Sequence, residues 1–144
     1  MKSKLFIILC AGLLVAQASA AATIDIHMKN KGTDGAMVFE PGFVLAQPGD
    51  TIHFIADDKG HDVASITGML PEGAEPLKGE MSKDLSVVLT VEGLYGIKCS
   101  PHFGLGMVGL IQVGAAANYD TAVAVVQKGK AKVRFDADFA QVTK

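Results

Sequence analysis

The nine residues Cys99-Ser100-Pro101-His102-Phe103-Gly104-Leu105-Gly106-Met107 constrain this chain more than any other stretch. They crowd a thiol, an imidazole and a thioether into one C-x2-H-x4-M cluster, a donor set that selects a soft ion such as copper over magnesium or calcium. For the three groups to converge on one point, Cys99 has to end a strand and the chain beyond it has to fold back. Pro101 restricts that loop, and Gly104 and Gly106 let the backbone curl. The cluster holds three donors, so a further ligand has to arrive from a distant part of the chain.

The N-terminus sharpens the meaning of Cys99. Lys2 and Lys4 precede an apolar run from Leu5 to Ala16 and then Ala18-Ser19-Ala20, the pattern of a cleavable signal peptide over residues 1–20. The run is too short for a permanent membrane anchor, and the mature chain is expected to start near Ala21 or Ala22. Cys10 reads as a leader residue rather than a lipidation site, because Leu9 stands where such sites take a small residue. Export carries the chain into an oxidising compartment, where one cysteine forms no internal disulfide and a free thiol is open to oxidation unless buried or ligated. Beside His102 and Met107, Cys99 therefore reads as a ligand rather than as an inert core thiol.

About 124 residues remain, one domain over 21–144. They carry eleven basic against fifteen acidic side chains, a net charge of −4, which argues against nucleic-acid binding. Thr23 to Met28 alternates, with Ile24, Ile26 and Met28 on one face and Asp25 and His27 on the other, as in a half-buried strand. Further strands are expected at 36–39, 43–46, 51–56, 63–67, 85–91, 94–98 and 107–113, with turns at 48–50, 71–73 and 92–93. Short strands at this spacing indicate an antiparallel sandwich or barrel, here over about 22–114. From Ala115 the chain becomes rich in Ala and Lys. Asn118 or Asp120 is expected to cap a first helix running to about Gln127, with Gly129 as its stop. A second helix would turn Val133, Phe135 and Phe139 towards the sandwich, completing a helical tail over about 118–143 that packs rather than reacts.

Three histidines compete to complete the donor set. His27 sits on a polar strand face, and His53 alternates with Ile52 and Phe54, so both read as structural. His61 lies in the turn-rich Asp57-Asp58-Lys59-Gly60-His61-Asp62, and loops on a rigid scaffold are where binding residues concentrate. With His61 the set becomes His2Cys plus a weak Met, the donors of a type 1 copper electron-transfer site. Such a geometry lies between the preferences of Cu(I) and Cu(II), so little moves when an electron passes. A zinc site with an open position is the competing metal reading, and Met is a poor zinc ligand. Competing functions are copper delivery or storage, and a fragment of a multicopper enzyme. The first usually offers exposed Cys or Met clusters; the second needs further copper sites, which His27 and His53 do not evidently form.

Several segments together resemble the cupredoxins, the type 1 blue copper family, and within it the pseudoazurin group. They are His27 to Gly32, Asp34 to Pro41, Pro48 to Thr51, Asp58 to His61, Gly68 to Glu75 and Tyr95 to His102. The C-x2-H-x4-M motif is shared with plastocyanins; the Met37 segment, residues 68–75 and the two-helix tail favour the pseudoazurin group over a plastocyanin-like carrier. The resemblance implies an eight-stranded Greek-key β-sandwich with two short C-terminal helices, binding one copper ion through His61, Cys99, His102 and Met107. It implies a monomeric, non-enzymatic periplasmic shuttle that does not act at a membrane. Copper nitrite reductase is the first partner expected, ahead of a haem nitrite reductase or nitrous oxide reductase, with the upstream donor open. Pro101, Phe103, Leu105, Gly106 and Met37 would form an apolar patch around His102, ringed by Lys31, Lys59, Lys78 and Lys98, with Met37 also packing near His102. One residue departs from the family: Asp62 stands where Asn usually follows the first ligand histidine. Its backbone N–H would still point at the cysteine sulfur. Its carboxylate, an acceptor only, is expected to tie the loops by accepting from Ser100 and to favour Cu(II), unless burial keeps it protonated.

Overall fold

The computed structural model describes residues 20–144, so the expected signal peptide, save its last residue, lies outside the described residues. Eight strands form two four-stranded sheets, and two short helices follow. The strands are β1 Thr23–Gly32, β2 Gly35–Glu40, β3 Phe43–Ala46, β4 Thr51–Ile55, β5 Ala64–Ser65, β6 Leu85–Val88, β7 Gly93–Lys98 and β8 Val108–Val113. One sheet has the order β2-β1-β4-β6 and the other β3-β8-β7-β5. The arrangement is a sandwich, not a closed barrel. It is also not purely antiparallel, because β1 pairs with β4 and β3 with β8 in parallel. After β2 the chain crosses to the second sheet as β3 and returns as β4 beside β1, running the same way.

Alternation explains which side chains face inward. Ile26 and Met28 from β1, Ile52 and Phe54 from β4, and Tyr95 and Ile97 from β7 join one buried core between the sheets. The opposite face of β1 and β4 carries hydrogen-bonded His–Asp pairs. His53 Nδ1 lies 3.2 Å from Asp25, and His27 Nδ1 lies 2.9 Å from Asp57. Both histidines are thus surface side chains. The strand expected at 63–67 shrinks to two residues, because Ser65 and Val63 bond outside the regular ladder to the Leu77–Gly79 segment.

Strands β7 and β8 are buried almost throughout, on both faces. Their outer face, with Leu94, Val108 and Leu110, is covered by the tail through Ala122, Ala131 and Phe135. The tail differs from expectation in detail. Helix α1 is only Tyr119–Val123, and Asn118 does not cap it by its side chain. That amide instead accepts from the Leu94 N–H at 2.7 Å and donates to the Leu94 carbonyl at 3.0 Å, so its side chain pairs with β7 while its backbone carbonyl begins the helix by accepting from the Ala122 N–H at 2.9 Å. Gly129 opens helix α2, Gly129–Phe139, instead of stopping α1. On α2 the inner face is Ala131, Phe135 and Asp138, while Val133 is 67 % exposed. Spacings of four and three residues share a helical face, and a position two away from Ala131 does not.

Asp138 is the acidic group on that inner face, and among the described residues its Oδ2 has no hydrogen-bond partner. Burial, reinforced by the charge of Asp34 and opposed by Arg134, pushes its carboxyl up to about 7. A carboxyl that holds its proton more tightly when folded costs stability as pH rises from the ordinary carboxylate range through 7. Asp138→Asn should therefore match the parent near pH 4 and exceed it increasingly up to neutral pH. The ceiling is about 4 kcal/mol, measured as urea unfolding free energy of the copper-free protein across pH. A difference independent of pH would refute the assignment.

Candidate metal centre

Strand register builds the centre. On β7 the inward positions are Tyr95 and Ile97, and period two carries Cys99 to the same face, fully buried. On β8 the inward positions are Ile111 and Val113, and the same count places Met107 inside. The strands pair antiparallel with Lys98 opposite Val108, so one step further sets Cys99 opposite Met107. The Cys99 N–H donates to the Met107 carbonyl at 3.0 Å. Between them the loop closes on itself. His102 N–H reaches the Cys99 carbonyl at 3.2 Å, and a single 3-10 turn, Phe103–Leu105, follows. The His102 carbonyl then accepts from both Leu105 and Met107.

His61 comes from the β4–β5 connection and is fully buried. Its Nδ1 lies 3.1 Å from His102 Nδ1 and 3.7 Å from Cys99 Sγ, and His102 Nδ1 lies 3.5 Å from that sulfur. The point equidistant from three atoms so spaced is about 2.0 Å from each, close to the ~2.0–2.3 Å of nitrogen and sulfur bonds to a first-row ion such as zinc. The donors therefore fit one ion without rearrangement. Burial, then the neighbouring His102, lowers the His61 pKa, which favours the neutral, ligating imidazole. Burial pushes the Cys99 thiol up, while the backbone N–H of Asp62 bonds to the sulfur and opposes the rise.

One positioning residue escapes the sequence reading. Asn30 Oδ1 accepts from His61 Nε2 at 3.0 Å, leaving the Nδ1 lone pair to face the donor cluster. It does carry a signal: Asn is depleted in strands, and Asn30 sits inside β1. Asp62 behaves as its chemistry requires, its Oδ1 accepting from the Ser100 N–H at 2.6 Å and so joining the two ligand loops. Met37 packs against the core that contains Cys99 and Met107, its backbone left-handed at φ 54°. Pro101 and Leu105 are exposed beside half-buried His102 and Phe103, whereas Gly106 is buried. Lys31, Lys59 and Lys78 are exposed, and Lys98 lies over the Phe103 ring.

A two-sheet sandwich that gathers a Cys and two His around one point, with a buried Met paired to that Cys across the β7–β8 ladder, defines a type 1 copper protein. The family model for copper binding proteins of the plastocyanin/azurin family matches residues 26–114. Pseudoazurin of Paracoccus pantotrophus is 51% identical over 131 residues, covering 90% of each chain. The solved pseudoazurin of Hyphomicrobium denitrificans superposes with TM-score 0.81 at 42% identity, covering 85% of this chain and 99% of that one. That of Methylobacterium extorquens AM1 also gives 0.81, at 40% identity, covering 84% and 99%. The chain belongs to the plastocyanin/azurin family, in its pseudoazurin group. Its cofactor is copper, held in a type 1 site by His61, Cys99, His102 and Met107, and it is an electron carrier.

Asp62 gives this site a testable signature. A carboxylate beside the ligands favours the more positive ion, so Asp62→Asn should raise the midpoint potential by on the order of tens of millivolts. The amide oxygen keeps the bond to Ser100, so the fold is unchanged. Voltammetry showing an unchanged or lower potential would exclude the electrostatic role.

Proposed function

We propose that this protein is an exported, periplasmic one-electron shuttle, monomeric and non-enzymatic, donating to a redox enzyme such as copper nitrite reductase in denitrification. The observation that carries the reading is the asymmetry of the two imidazoles: His61 is fully buried, and His102 is half-buried between exposed Pro101 and Leu105. Bound copper supplies the one-electron couple. The chain supplies a preset donor triangle, closes it from water, and leaves one ring edge near the surface for the electron. With four side chains committed to the ion, no ligand position is left for a substrate. Among the described residues no helix is long and apolar enough to cross a membrane, and the leader-like N-terminus supports export.

The lysines support a transient, small interface around that edge. Lys31 follows Asn30, Lys59 precedes His61 by two residues, and Lys98 adjoins Cys99. Lys78 bridges to Ala64, which is itself opposite Lys98. None of the four forms an ion pair among the described residues, so their charge is free to steer an acidic partner.

Copper-loaded protein should be intensely coloured and bleach reversibly with a one-electron reductant, whereas Cys99→Ser should be colourless with the parent far-UV spectrum. A colourless parent complex would remove the carrier reading. In stopped-flow mixing with an acidic redox partner, the association rate should fall as salt rises. Joint reversal of Lys31 and Lys98 to Glu should slow it at low salt by about tenfold or more. An unchanged rate would remove the steering role.

A further inference from the structure

Helix α2 brings one charged side chain to the back of the ligand loop. Arg134 Nη1 donates to the Met37 carbonyl at 2.7 Å and also to the Gly106 carbonyl. Its Nη2 donates to the carbonyls of Ala36 at 3.0 Å and Asp34 at 3.1 Å. One guanidinium thus joins the turn and first residues of the β1–β2 hairpin to the end of the copper loop. The contact with the loop is close. Gly106 has φ +84°, and a Cβ placed there would lie 2.7 Å from the Cβ of Lys130, one turn before Arg134 on the same helix.

The bond to Gly106 matters because of what that carbonyl is attached to. Gly106 C=O and Met107 N–H are the two edges of one planar peptide unit. The N–H edge donates to the His102 carbonyl at 3.1 Å, and the C=O edge accepts from Arg134. The plane from which the Met107 side chain springs is therefore held from both sides. One hold is internal to the loop and the other comes from the tail. The second anchor is also distinctive, since the same Nη1 holds the carbonyl of Met37, a non-glycine residue with left-handed backbone.

We propose that Arg134 is a positioning residue for the copper, fixing the Gly106–Met107 peptide plane against the β1–β2 hairpin and thereby setting how closely the Met107 thioether approaches the ion. The inference rests on the type 1 copper reading. The axial thioether is the weak ligand that tunes the potential of such sites, so a small tilt of this plane has an electronic readout. Lysine would not substitute, because an ammonium lacks the planar fork that reaches carbonyls on two chain segments at once. Gln112 offers a matched control. It fastens the tail to β8 through Gly114 and Thr143, with no hydrogen bond to the ligand loop.

The test compares the parent with Arg134→Gln, Arg134→Lys and Gln112→Leu. In the copper-loaded proteins the measurements are the intensity ratio of the two visible charge-transfer bands, the rhombicity of the paramagnetic resonance spectrum, and the midpoint potential. In the copper-free proteins the measurements are thermal midpoint and hydrogen exchange of the Met107 amide. Arg134→Gln should change band ratio, rhombicity and potential, and speed exchange at Met107 by tenfold or more. Arg134→Lys should move the same readouts part of the way. Gln112→Leu should lower the thermal midpoint and leave the others unchanged. Parent-like spectrum, potential and exchange in Arg134→Gln, or in Arg134→Lys should the first not fold, would overturn the proposal, as would equal changes in Gln112→Leu. A colourless parent would sink the copper reading instead, and the copper-free exchange measurement would still decide whether Arg134 holds the Met107 plane.

Discussion

The hydrogen bond from the Cys99 N–H to the Met107 carbonyl is the constraint on which the centre depends. It extends the β7–β8 ladder by one rung beyond the last regular pair, so two ligands become cross-strand neighbours on the inward face. Everything between them is then a short closed loop with its third ligand at a turn. Register in a sheet with one buried face is strongly specified, because a slip of one residue turns every side chain to the other side. The hydrophobic alternation of Tyr95, Ile97, Ile111 and Val113 therefore locks the metal chemistry as firmly as it locks the core. Copper binding and folding draw on the same pattern.

That pattern is legible in the amino-acid sequence. Alternation locates seven of the eight strands to within a few residues, and Phe43–Ala46 to the residue. It misjudges β5, where Ser65 and Val63 find partners in an irregular segment that no periodicity announces. It also suggests an antiparallel sandwich, since strand direction follows from the route of the connections and not from side-chain period. In the tail, Asn118 and Gly129 read as ordinary helix-end residues. Asn118 does stand at the N-cap of α1, but its side chain does not cap, because the Leu94 backbone needs a partner and the Asn118 amide provides it. With α1 ending at Val123, Gly129 is left to open the next helix instead of closing the first.

The site divides along the same line. His61, Cys99, His102 and Met107 are legible because ligand chemistry restricts residue type, and outside the leader-like first twenty residues the sequence has one cysteine to explain. The bond from Asp62 to Ser100 is legible because a carboxylate has a single hydrogen-bonding role. Asn30 and Arg134 are not. Each acts through a contact more than twenty-five positions away in sequence, and neither residue type is restricted to that use. Val133 fails for a simpler reason: it stands two residues from Phe135, on the opposite side of any helix that holds both.

The tail that covers the outer face of β7 and β8 has a consequence for the order of assembly. Gln112, at the edge of that covered face, is bonded to both the amide and the carbonyl of Thr143, one residue from the chain's end. A polypeptide released N-terminus first emits Met107, the last of its four ligands, an interval of chain ahead of helix α2. For that interval the thiol is present without the wall behind its loop, and the apolar side of the second sheet faces solvent. The contact of Arg134 with the copper loop is thus made only after all four ligands have emerged, so the loop is formed first and backed by the helix afterwards.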